Sequence, residues 1–131
     1  MKKKKAIEVL LNNSSKATNH SEKSKVNVIY HEDYNDTITF LYNDTDNHRV
    51  YVVANKNQLS CMRIGESNTF CQFIEGFATT LVKDSELGTH ILTTKALKVI
   101  KDDDKFQVVY DLFLENDYLD TITMSWEIIR Q

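Results

Sequence analysis

The segment CMRIGESNTFCQFIEG, residues 61–76, concentrates the side chains with chemical potential. Arg63 is one of only three arginines, set against thirteen lysines. Its guanidinium offers five fixed donors, a geometry suited to a carboxylate, a phosphate or a ring of carbonyls. Three roles are open to it: a structural plug, a solvated surface charge and an anion contact. Leu59 and Cys61 share its face while Ser60, Met62 and Ile64 share the other, so the alternation leaves open which face is interior. Cys61 and Cys71 are equidistant from Glu66, and a symmetric turn would set them opposite each other. With no secretory signal in view they read as small buried hydrophobes with reduced thiols, not as a disulfide or a redox pair.

Other chemistry is thin. His20, His31, His48 and His90 show no ligand spacing with one another or with the cysteines, so they read as surface histidines and no metal site is expected. Asp102, Asp103 and Asp104 sit at a predicted hairpin tip, without the glycine and closing glutamate of a calcium loop. No glycine-rich phosphate loop and no nucleophile elbow occurs, and neither Ser85 nor Ser125 has a base placed beside it. The expectation is a non-enzyme without cofactor. Aromatics remain. Tyr30, Tyr42, Tyr110 and Trp126 fall on predicted interior positions, where hydroxyls and an indole could supply the few polar contacts of an apolar pocket. The candidate ligand contacts are Arg63, Tyr110, Trp126 and Tyr42.

The elements that must position them are strands. KAIEVLL (5–11), VNVIYH (26–31), TITFLY (37–42), RVYVVA (49–54), LSCMRI (59–64), FCQFIE (70–75) continued by FATTLV (77–82), THILTTKALKVI (89–100), FQVVYDLFLE (106–115) and LDTITMSWEII (119–129) alternate or are β-branched. Asn, Asp, Lys or Gly bounds each one. Within THILTTKALKVI, Leu92, Ala96, Val99 and Ile100 also fit helical spacing, but the threonines and β-branched residues favour a strand. Residues 12–25, NNSSKATNHSEKSK, read as a polar loop, and residues 1–5 as a flexible basic end. Gly76 reads as the bend of one long strand.

About eight to nine strands joined by short turns predict a single antiparallel up-and-down β-barrel covering residues 1–131. Its lining would include Phe106, Val108, Tyr110, Leu112 and Leu114, Ile122, Met124, Trp126 and Ile128, Ile38, Phe40 and Tyr42, and Val26, Val28 and Tyr30. Ile29, Leu41, Tyr51, Val53 and Val109 fall on the outer face, where they could form a homodimer seam or partner patch. A net charge of −3 with interspersed signs argues against nucleic acid. The apolar run after Lys2–Lys5 is broken by Glu8, too early for a signal peptide, and no stretch is long enough to span a bilayer as a helix. A cytoplasmic protein without membrane association is expected.

From about Thr37 onward the chain resembles a bacterial family of YwiB-like proteins, a domain of unknown function. The resemblance rests on Arg63-Ile64-Gly65, on Phe73 to Gly76, and on Tyr110-Asp111-Leu112. Where that family carries a Tyr-x-Thr-Pro-x-Gly turn, this chain has KDSELG, matching at Gly88 with Ser85 in the threonine place. The resemblance implies a lipocalin-like (calycin) barrel and no particular activity. It also implies that a basic side chain against an aromatic closes one barrel end, which would set Arg63 against Trp126. Two functions follow from this reading: a binding module for a small, partly apolar ligand in the barrel mouth, or a filled barrel acting as a structural or regulatory interaction protein through its outer face.

Overall fold

A computed structural model describes residues 5–131. The expected basic end falls mostly on residues 1–4, outside the described residues. Ten antiparallel strands follow one another: β1 (Ala6–Ser15), β2 (His20–Tyr34), β3 (Thr37–Asn43), β4 (Arg49–Asn55), β5 (Gln58–Ile64), β6 (Asn68–Ile74), β7 (Ala78–Ser85), β8 (Gly88–Asp102), β9 (Lys105–Leu114) and β10 (Asp117–Arg130). Each pairs with its sequence neighbours, and β1 pairs with β10 from Ala6↔Arg130 to Ser15↔Ile122, closing the barrel. No helix occurs among the described residues.

Turn chemistry sets the boundaries. Asn35 and Asp36 both take positive φ, 49° and 59°, forming the two-residue connection between Tyr34 and Thr37. Asn and Asp tolerate this backbone better than any residue except glycine. Gly76 takes φ +83° in a true turn, so β6 and β7 are separate strands where a single bent strand was expected. That correction accounts for ten strands in place of eight to nine. The turn is held from the side, because the Gly76 N–H donates to Ala96 O at 2.8 Å and Ala96 N–H donates to Phe77 O at 3.3 Å.

The polar stretch 12–25 is not a loop. Asn12–Ser15 extend β1 and His20–Lys25 open β2, leaving only Lys16–Asn19 as the turn. The arm is paired on both sides, Asn12↔Lys23 in one direction and Asn12↔Ser125 in the other. Asp120 anchors its tip, accepting from Ser15 Oγ at 2.5 Å and from the Ala17 N–H at 2.8 Å. Backbone pairing holds this arm, so side-chain polarity does not report it.

Among the described residues the register shifts at four places, in β1, β2, β8 and β10, and those in β8 and β2 bear on the sequence reading. In β8 the register shifts between Ala96 and Lys98, so Thr94, Ala96 and Val99 are the buried positions. The extra residue stretches a period of two into a step of three, which is why this strand also resembled a helix. Glu75 Oε1 accepts the Val99 N–H at 2.9 Å and secures the irregularity. In β2 the shift between Val28 and Tyr30 turns Tyr30 outward, 51% exposed, contrary to its expected interior place. His31 turns in instead, its side chain 19% exposed.

The rest of the lining holds except at Leu114. Phe40, Phe106, Val108 and Phe73 are fully buried, with ring centroids of Phe40 and Phe106 5.7 Å apart and of Phe73 and Tyr110 4.6 Å apart. Ile38, Tyr42, Tyr110, Trp126 and Ile128 are buried, and Val26, Val28, Leu112, Ile122 and Met124 pack against them part-buried. Leu114 lies past the packed layer and is exposed.

Arg130 closes one end. Its Nε reaches Asp104 Oδ1 at 2.9 Å and Oδ2 at 3.1 Å, and a terminal nitrogen lies 3.4 Å from Asp33. Only 12% of its side chain is exposed. The plug expected of Arg63 is therefore supplied by Arg130, with carboxylates and not an aromatic as its partners. We expect Arg130→Met to lower unfolding free energy by about 3 kcal/mol, because it strands partly buried carboxylates. Arg63→Met should cost under about 1 kcal/mol, since Arg63 and Asp46 are more exposed and Asp44 keeps its two backbone N–H donors. Urea titrations of both variants check the order; equal losses would remove the distinction between the two ends.

Candidate functional site

At the end opposite Arg130 the barrel is not filled. A cavity of about 320 Å³ opens there, and Tyr42, Arg63, Tyr110 and Trp126 all line it. Sequence reasoning singled out these four, and the fold brings them to one wall system. Tyr30 is absent from it for the reason given above.

The deepest residues are buried: Tyr42, Tyr110 and Trp126 at 4% exposure each, with Val50 and Cys71 beside them. Trp126 Nε1 donates to the Tyr42 hydroxyl at 2.9 Å, bridging strands far apart in the chain. Burial raises both tyrosine pKa values, with the nearby cysteines adding to the effect, so both hydroxyls stay protonated. Leu11, Leu81, Met124 and Cys61 form a part-buried apolar middle. Exposed Asn13, Glu22 and Asp46 form the rim.

Cys61 and Cys71 pair directly across β5 and β6 as the symmetric turn required, and both are free thiols. Cys71 Sγ lies 3.6 Å from Cys61 O. The contact with Cys61, together with burial, pushes the Cys71 thiol up, away from the thiolate form that reacts. Cys61 is only part-buried.

Arg63 belongs to a latch at the mouth. Its Nε donates to Asp44 Oδ2 at 2.8 Å, and a terminal nitrogen lies 3.2 Å from both Asp46 Oδ2 and His48 Nδ1. Trp126 is not among its partners. Asp44 also accepts the backbone N–H of Asp46 at 3.0 Å and of His48 at 2.9 Å. Burial pushes the Asp44 carboxyl up, but these N–H groups and the Arg63 charge outweigh it and hold it below the ordinary carboxylate value. His48 is no plain surface histidine; 16% of its side chain is exposed. Asp44, Asp46 and His48 each offer an atom within 4.8 Å of the others, a spacing compatible with a cation. The Arg63 guanidinium already supplies positive charge to all three.

Gly65 explains the Arg-x-Gly spacing. A Cβ there would lie 2.0 Å from His48 Cδ2, so glycine makes room for the ring that Arg63 touches. The sequence carried no signal for the Asp44–His48 partnership, because its members lie in a different hairpin from Arg63.

The outer face is apolar along one row. Leu41, Tyr51, Met62, Phe70, Val82 and Ile91 are successive cross-strand partners from β3 to β8, and Tyr30 continues the row on β2. Tyr51, Met62, Phe70 and Ile91 are 38–60% exposed. Ile29 and Val53 are also exposed, while Leu41 and Val109 are half-buried.

No family model and no curated protein matches the chain. Among solved structures it is similar to the ywiB protein from Bacillus subtilis, with a TM-score of 0.68 at 15% sequence identity, covering 98% of this chain and 95% of that one. At that identity the likeness is one of fold, and it extends over the entire barrel, including the strands before Thr37.

We expect Gly65→Ala to destabilise the protein by about 1–3 kcal/mol through the His48 clash. Adding His48→Ala should recover most of that loss. Thermal melts of the single and double variants form the cycle; strictly additive losses would show that Gly65 does not serve His48.

Proposed function

We propose that the protein is a binding module for a small, partly apolar ligand taken into the open end of the barrel. The observation that carries this reading is the 320 Å³ cavity, which spans buried aromatic hydroxyls at its floor and an apolar belt above them. Its size falls at the lower edge of known ligand sites, and its lining follows their usual division between apolar walls and a few polar groups. A groove of about 550 Å³ lies at the Arg130 end, but exposed turn residues such as Asn35, Asp36 and Asp103 line it, giving little apolar wall to a ligand.

The same reading places the chain with the YwiB-like proteins and their lipocalin-like (calycin) barrels, supported by the likeness of fold and by the roles of Gly65, Phe73 and Tyr110. It is read as a cytoplasmic binder and not as a catalyst. Within the cavity the protonated hydroxyls and the neutral Cys71 thiol offer hydrogen bonds, not a poised base or nucleophile. No helix among the described residues is long and apolar enough to cross a membrane.

A second reading, self-association through the outer face, has its own observation. A two-fold axis running along the strands between β5 and β6 would place Met62 of one copy on Phe70 of another, and Tyr51 on Val82. The next rung would then set Arg49 against Asp84, opposite charges at the two edges of one face. That self-complementarity favours a second copy over an unrelated partner.

Native mass spectrometry of protein isolated from its own cells tests the first reading. We expect a retained small molecule at one per chain, lost in Leu81→Trp, whose indole fills the apolar middle. Native protein without a companion mass, unchanged by the filling variant, would refute it. For the second, Phe70→Lys should weaken dimerisation at least about tenfold in sedimentation equilibrium. A wild-type protein that sediments as a monomer at high concentration would refute the two-fold contact.

A further inference from the structure

The donors left unspent in the cavity define its ligand more narrowly. This step rests on the cavity being a binding site. Tyr110 is 4% exposed, and among the described residues its hydroxyl has no hydrogen-bond partner. Every enclosed side-chain polar atom in the described residues does have one. The Tyr110 hydroxyl therefore borders the open space of the cavity that its side chain lines. Tyr42 spends its oxygen on the Trp126 N–H and keeps its own proton. Two protonated hydroxyls thus stand at the floor, each with a proton to donate.

Charge decides the rest. Among the described residues the only cationic side chain lining the cavity is Arg63, and its Nε and one terminal nitrogen are occupied by Asp44, Asp46 and His48. The lining carries Glu22, Asp44 and Asp46 against that one arginine, so its formal charge is 1 − 3 = −2. An incoming carboxylate would meet net negative charge at the mouth. At the floor it would find a desolvated setting without a free cation. An ammonium group would be drawn to the rim, but it has no lone pair with which to accept the hydroxyl protons at the floor.

We propose that the cavity selects an uncharged, apolar-bodied molecule bearing an acceptor oxygen, a ketone, ester, lactone or amide, with that oxygen accepting from the Tyr110 hydroxyl. The chain's single tryptophan lies in this site and reports occupancy directly. Octan-2-one, octanoate and octylammonium, which share one chain length, are titrated at neutral pH while Trp126 fluorescence is followed. The expected order is octan-2-one tightest, with octanoate at least tenfold weaker. Tyr110→Phe, which keeps the ring on Phe73 and removes only the hydroxyl, should weaken octan-2-one about tenfold and leave octylammonium unchanged.

Octanoate or octylammonium binding as tightly as the ketone overturns the assignment while leaving the binding module intact. So does an unaltered ketone affinity in a Tyr110→Phe protein with native melting temperature. If none of the three probes perturbs Trp126 at saturation, this assignment fails, and the native mass of protein from its own cells decides the binding-module reading separately.

Discussion

Closure of the sheet is the constraint on which the rest depends. β1 and β10 meet along Glu8–Ser15 and Ile122–Ile129, so among the described residues no strand is left as an edge. Closure also divides the inward side chains into those near one end and those near the other, and the two ends then diverge. At one, Arg130 and Asp104 seal the lining. At the other, the polar extensions of β1 and β2 continue the wall past the packed core, giving the cavity its height without filling it.

The two arginines of the barrel ends illustrate how burial assigns roles. Arg130 is held within a nearly closed set of contacts, and its charge is matched where water has little access. Arg63 has 39% of its side chain exposed and is tethered by the β3–β4 turn. Asp44 is the pivot of that turn, binding its own backbone and the guanidinium together. The latch thus couples the conformation of a turn to the cation beside the cavity. It also keeps that cation from serving as a free anion receptor, which the residue type alone suggested.

Much of the barrel was legible in the sequence because period-two alternation is a local signal and the lining residues obey it. Phe106, Val108, Tyr110, Trp126 and Ile128 could be placed inside by parity alone. Parity failed where one residue was inserted, at Val28–Tyr30 and Ala96–Lys98, because a bulge inverts everything beyond it. It failed again at Asn12–Lys25, where both faces are wet and pairing is carried by backbone groups that every residue possesses. Tyr42, Tyr110 and Trp126 were found because parity makes each a large inward side chain, and Arg63 was singled out for its guanidinium alone, since alternation left its face open. Their partners were not. Asp44, Asp46 and His48 meet Arg63 through a contact between hairpins, and Arg130 meets Asp104 and Asp33 across the closed end. Such long-range pairings have no period to betray them.

The strand count explains why there is a cavity at all. Barrel diameter grows with strand number, and eight strands already leave an interior that side chains just fill. Ten strands enclose more cross-section. Phe40, Phe73 and Phe106 occupy it through the middle of the barrel, where Phe40 stacks on Phe106 and Tyr42 and Phe73 packs tilted on Tyr110. Towards the mouth the inward positions fall to Cys61, Thr69, Cys71 and Leu81, all smaller than the aromatics. Small side chains on a widened wall cannot close the gap, so the space follows from the split of β6 and β7 at Gly76 as much as from the residues that line it. A single bent strand would have given a narrower barrel with Tyr110 and Trp126 packed as filler. The glycine turn that adds a strand therefore helps to leave room beside their polar ends.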